Sequence, residues 1–222
     1  MRPASSRILI AALAVFACSP AVVAAEGSWT GFNAGVDLGL GQYESSTIDV
    51  DYNWYGGTQT TKRTGGIVGL RGGYDHQFGS LVVGGEIDWT YAHISDNWGY
   101  SGNVRIANEL NWLASARARC GVAIDRSLIY FAAGIAKGDI KHKFDVQAPG
   151  NLNDSFSAKN NKLGELLAIG LEHQVTDRVT IRAEMASYTF DGAQATDSRT
   201  PSNHWKFNDK ISTITVGASY RF

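Results

Sequence analysis

From Phe32 to Leu40 every second residue is apolar, and Asn33, Gly35, Asp37 and Gly39 stand between them. Strict alternation of this kind specifies a β-strand whose two faces meet different surroundings. It returns along the whole chain. A second segment, residues 66–78, sets Val68, Leu70 and Tyr74 against Arg71, Asp75 and Gln77. After a tight turn at Gly79 and Ser80, a third sets Leu81, Val83, Ile87, Trp89 and Tyr91 against Glu86, Asp88 and Thr90. Residues 107–124 carry Trp112, Ala114, Ala116, Ala118, Cys120 and Val122 opposite Asn111, Ser115, Arg117 and Arg119. Asp125 and Arg126 turn the chain into residues 127–139, with Ile129, Phe131, Ala133 and Ile135 in one row. Residues 165–175 oppose Leu167, Ile169 and Leu171 to Ala168, Gly170, Glu172 and Gln174. Past a turn at 176–178, Val179, Ile181, Ala183 and Met185 oppose Thr180, Arg182, Glu184 and Tyr188. The eighth segment is the terminal ITVGASYRF, residues 214–222.

Connections two to three, four to five and six to seven are short, whereas 42–64, 93–106, 140–164 and 191–208 are long and polar. Alternating short and long ends are the plan of an up-and-down barrel in an outer membrane. The alternative is a soluble sandwich or barrel with the apolar row inside. Three features favour the inside-out arrangement. Large apolar side chains occupy one row of every segment, and in water such strands would aggregate. The opposite row mixes charge with glycines such as Gly35, Gly84, Gly170 and Gly217, which relieve crowding in a narrow cylinder. Trp29, Tyr74, Trp89, Tyr91, Trp112, Tyr220 and Phe222 lie toward segment ends, as interfacial girdles require. In hydrocarbon an unpaired backbone group costs several kcal/mol, so the sheet must close on itself. The expected fold is therefore all-β, an eight-stranded antiparallel up-and-down transmembrane β-barrel. Eight strands leave an interior that side chains fill. Arg71, Arg117, Arg119, Arg182 and Arg221 are thus expected to pair with Asp75, Glu86, Asp88, Glu172 and Glu184 in a lumen charge network.

Residues 1–25 have Arg2 and Arg7 at the head, an apolar stretch from Ile8 to Phe16 and small residues before Glu26. This reads as a secretory signal peptide cleaved after Ala25, leaving residues 26–222 as the barrel domain. Val15, Phe16 and Ala17 make a poor lipobox ahead of Cys18. Cys120 is then the one cysteine left, so no internal disulfide staples the exported chain. A formal net charge of -1 without a basic run argues against nucleic acid as a partner.

Four stretches taken in order, WTGFNAGVDLGLG, SARARCGVAIDRSLIYFAAGIAKG, GLEHQVTDRVTIRAEMASYTF and VGASYRF, make the chain resemble the porin-like, opacity-protein-related family of small outer-membrane β-barrels. The resemblance is strongest to the major surface proteins of alphaproteobacteria. It implies both termini in the periplasm and a last strand whose aromatic end, here Tyr220 and Phe222, is read by the barrel-assembly machinery as an insertion signal. Cys120 and Lys137 depart from the pattern, standing where a larger aliphatic and an aromatic are common. Cys120 serves as a small apolar residue on a lipid face, and Lys137 extends toward headgroups.

Catalytic motifs are weak. Ser219 lies in GAS inside the last strand and not in a nucleophile elbow. Glu86 and Asp88 share a strand face, where salt-bridging in the lumen outweighs acid/base work. His93, Asp96, His142, Asp145, Asp191 and His204 fall in the long connections without forming a motif. The chain is thus read as non-enzymatic, with no cofactor: a structural barrel that supports envelope integrity and exposes loops. Its expected partners are outer-membrane lipid and lipopolysaccharide, with host surfaces open as contacts of the loops. Two other readings stay open. One is a haem or ligand receptor using His93, His142, His204, Tyr52, Tyr55 or Tyr100. The other is a narrow diffusion pore.

Overall fold

Each alternating segment becomes a strand because only a neighbouring strand can satisfy its backbone while its two faces meet different media. The computed structural model describes residues 28–49, 58–100, 104–148, 152–160, 163–196 and 204–222. Its elements are β1 (Gly31–Asp49), β2 (Thr58–Phe78), β3 (Leu81–Tyr100), β4 (Val104–Ile124), β5 (Ser127–Ala148), β6 (Leu152–Asn160), β7 (Gly164–Gln174), β8 (Val179–Thr196) and β9 (His204–Arg221). Every pairing is antiparallel. Neighbours run β4, β3, β2, β1, β9, β8, β7, β5, and β4 pairs β5, which closes a ring of eight. The ninth element, β6, pairs with β5 residues 140–148, beyond the stretch that holds β7.

Short turns collect at one end of the ring. Gly79 and Asp125 adopt positive φ of 62° and 50° there, which two-residue hairpin turns demand. The amino-terminal end of β1 and the carboxy-terminal end of β9 lie at the same end, as Asn33 pairs with Arg221.

Three sequence expectations change. The long connections are largely strand: hairpins β1–β2, β3–β4, β5–β6 and β8–β9 continue into residues 42–49, 58–64, 93–100, 140–148, 152–160 and 204–208. Pairing persists there although the apolar row has ended, so the pattern vanishes before the strand does. Second, the sixth passage of the barrel is split into β6 and β7. Third, Trp29 does not join an outer girdle; it is fully buried.

The outward rows are apolar and exposed, among them Phe32, Val36, Leu38, Leu70, Ile87, Phe131, Ile169, Ile181 and Val216. Tyr74, Trp89, Tyr91, Tyr220 and Phe222 are also on the outside. Exposed Cys120 and Lys137 share this surface. A one-residue slip of any strand would carry its charges into lipid, so the register is tightly held.

Candidate functional site: the barrel interior

The inward row is arranged in layers along the axis. At the short-turn end Val82, Ala123 and Leu128 are buried at the same ends of β3, β4 and β5, and Trp29 forms a cap and is fully buried. Its backbone N–H donates to the Gln77 side chain at 2.8 Å, and its carbonyl accepts from Arg221, whose guanidinium also sits 5.2 Å from the ring centroid. Gln174 adds a bond to the Ser28 carbonyl at 3.1 Å.

Above this cap lies a charged layer. Arg119 donates to Asp75 at 2.6 and 2.7 Å and to Glu172 at 2.6 Å. Asp75 also accepts from Asn33 at 3.0 Å and from Arg221 at 3.2 Å. Arg117 bridges Glu86 and Glu184, the latter at 2.9 Å. Arg182 reaches Glu86 at 3.0 Å and Asp37 at 3.5 Å, and Arg71 binds Asp37. Glu86 is the hub: its oxygens lie within reach of Arg117 and Arg182, with Arg119 at 3.7 Å and Arg71 at 3.8 Å. Asp88 stands at the margin, 4.0 Å from Arg117, and accepts from the Ser115 hydroxyl. The Tyr130 hydroxyl donates to Glu184, and Arg119 lies 5.0 Å from the Tyr130 ring centroid.

All ten residues expected in the lumen network point inward, from six strands that are remote in sequence. Asp37, Asn33, Ser115 and Tyr130 join them. Asp37 carried the signal of an inward charge in the first alternating segment. Tyr130 could not be assigned, because an aromatic next to Ile129 and Phe131 offers no sign of facing the other way. Gly170 makes room for it: a Cβ there would overlap the phenol ring. Charge is affordable in this enclosed space because each guanidinium fork meets carboxylates on several sides.

Toward the long-hairpin end the interior turns apolar. Leu113, Ala136, Leu166, Ala186 and Tyr188 follow the charges, then Tyr43, Ile67, Ala92, Ile94, Leu110, Ile140, Phe190 and Ile211, all buried. The inward row reads as charge mixed with glycine in a filled interior, and this apolar layer adds to that reading. Its source in β4 is a register shift between Leu110 and Leu113, which puts both leucines inward. Level with Phe190, its cross-strand partner Asp209 accepts from the Tyr43 hydroxyl at 2.8 Å and from Ser45 at 2.9 Å.

Tyr52 and Tyr55, and the leader 1–25, lie outside the described residues. So do the side chains of His93, Asp96, Tyr100, His142, Asp145, Asp191 and His204, whose backbone belongs to β3, β5, β8 and β9. Among the described residues no group of three or more His, Cys, Asp or Glu side chains is arranged to hold a metal ion.

The model of the outer membrane protein beta-barrel domain family matches residues 9–222. A 22 kDa outer membrane protein of Rhizobium leguminosarum bv. viciae is 30% identical over 196 residues, covering 88% of this chain and 79% of that protein. A 31 kDa outer-membrane immunogenic protein of Brucella melitensis biotype 1 is 27% identical over 202 residues, 88% of this chain and 83% of its own. Among solved structures, the outer membrane protein OprG from Pseudomonas aeruginosa superposes with a TM-score of 0.54 at 13% identity, covering 89% of this chain and 99% of OprG. That last likeness is one of fold.

Proposed function

Because the chain belongs to the outer membrane protein beta-barrel domain family and lies in the outer membrane, we propose that it is a non-enzymatic structural barrel supporting envelope integrity and presenting its long hairpins at the cell surface. The observation that carries this reading is the filled interior. Cap, charged layer and apolar layer succeed one another along the axis, and none of the three leaves the polar, water-lined path that a diffusion pore needs. The Brucella relative is named for its immunogenicity, which fits hairpins displayed outside the cell.

The outward rows meet outer-membrane lipid and lipopolysaccharide. Tyr220 and Phe222, exposed at the end of β9 with ring centroids 5.2 Å apart, form the mark read by the barrel-assembly machinery. The test is a chromosomal deletion. The deletion strain becomes sensitive to detergent and to large hydrophobic antibiotics, and the plasmid-borne gene restores resistance. In planar bilayers the refolded protein passes no steady current. An intact permeability barrier in the deletion strain, or a stable open channel, would overturn the proposal.

A further inference from the structure

Glu86 and Asp88 point inward from the same strand, two residues apart, and their surroundings differ. Among the described residues, the layer between the Trp29 cap and the apolar side chains encloses six carboxylates, those of Asp37, Asp75, Glu86, Asp88, Glu172 and Glu184. Five guanidiniums share that layer with them. Every carboxylate but one has a guanidinium nitrogen at 2.9 Å or closer. The exception is Asp88, whose nearest is 4.0 Å away on Arg117. Arg71 stands opposite Asp88 in the β2–β3 register but turns to Asp37 and Glu86. The remaining neighbours of Asp88 bring no positive charge. Glu86 shares its strand, Glu184 and Tyr188 face it from β8, and Ser115 gives its hydroxyl from β4. Past Ser115 on the same inward row, Leu113 begins the apolar layer.

With every member ionised, the layer would enclose one negative charge too many. The Asp88 side chain is only 8% exposed, so water does little to relieve it. An unbalanced charge in such a space is costly, and a carboxylate so placed takes up a proton instead. Where side chains fill the volume, a proton is the counter-ion that needs no room. We infer that Asp88 is a carboxylic acid at neutral pH, and that the proton it holds inside the barrel ties stability to the pH outside. Ser115 keeps its bond in either form, since a hydroxyl donates to a carboxylate and accepts from an acid. The unfolded chain releases this proton above about pH 4, the ordinary aspartate range, whereas the fold retains it. The folded state then binds more protons than the unfolded one. Stability is therefore greatest in acid and falls as pH rises, by about tenfold in the unfolding constant per unit, until Asp88 ionises.

The full barrel is refolded in neutral detergent with carbon-13 in its aspartate carboxyls, and its infrared spectrum is recorded at neutral pH. One aspartic-acid carbonyl band, moved by the label, stands apart from the carboxylate bands. Asp88→Asn removes that band and keeps heat-modifiable migration, because the amide matches the acid in shape and in lack of charge. Glu165→Gln, on the outer surface, leaves the band in place. Urea unfolding in lipid vesicles gives a second readout: stability falls with rising pH more steeply in the unaltered barrel than in Asp88→Asn, by about tenfold per unit in the unfolding constant. Absence of an acid band from the unaltered protein overturns the inference, as does a band that survives Asp88→Asn. Failure of Asp88→Asn to fold overturns it as well, since the charge itself would then be required. One alkali cation retained per barrel in native mass spectrometry, without an acid band, gives the balancing role to that ion and removes the proton. Parallel pH profiles in the two proteins remove the coupling to stability.

Discussion

Glu86 shows how much one interior carboxylate can hold together. Four guanidiniums stand within 4 Å of it, drawn from β2, β4 and β8, so its charge ties three strands across the axis. Glu86→Gln keeps the shape and removes the charge, leaving Arg117 and Arg182 short of their shared acceptor. Removing one member of a buried ion pair costs about 3–5 kcal/mol, and the midpoint of urea unfolding in lipid vesicles should fall accordingly. Glu165→Gln, on an exposed outward side chain, should move the same midpoint by less than about 0.5 kcal/mol. Gly170→Ala tests the neighbouring packing. Its new methyl overlaps the Tyr130 ring, and displacing that ring breaks the bond to Glu184, so a loss of about 1–3 kcal/mol is expected from the same unfolding curve.

Strands were legible where their two rows differed and faded where they did not. Within the membrane, Val36, Leu38 and Leu40 against Asp37 and Gly39 declare both strand and orientation. In residues 42–49, polar side chains occupy both rows of β1, so pairing with β2 and β9 continues without a periodic sign. Trp29 was misplaced because a lone aromatic just before a strand reads equally as girdle or plug; only the Gln77 and Arg221 partners, remote in sequence, decide it. The interior ion pairs were legible as a set and not as pairs, since each Arg faces carboxylates from strands on several sides. Two predictions belong to this scale. Replacing residues 141–160 by a short flexible turn removes the β5–β6 extension and leaves the ring of eight intact, so the variant keeps its heat-modifiable gel migration. Phe222→Ala leaves the refolding yield in detergent unchanged while lowering the amount assembled in the outer membrane of cells several-fold, because the side chain is largely exposed beside Tyr220 and its cost falls on recognition.

Across the whole molecule, the charged and apolar layers act as two seals in series. An ion crossing the charged layer would need vacant water-filled space among interlocked guanidiniums and carboxylates. Beyond it, the same ion would pass among Leu113, Leu166, Phe190 and Ile211, whose side chains offer no oxygen or nitrogen in place of its hydration. Series resistances are set by the larger one, so opening either layer alone should pass no current. Arg117→Ala thins the charged layer and exposes Glu86 and Glu184 to entering water, yet the leucines above stay closed. Leu113→Ala with Leu166→Ala thins the apolar layer, at about 2–5 kcal/mol for each truncation, and leaves the ion pairs in place below. Combined, the three substitutions join both openings into one path. Planar-bilayer recordings of heat-modifiable protein should therefore be silent for the unaltered chain and for each partial variant, and show discrete openings only for the triple variant. Current from Arg117→Ala alone would mean that the apolar layer is already permeable to hydrated ions and that the charged layer is the single barrier.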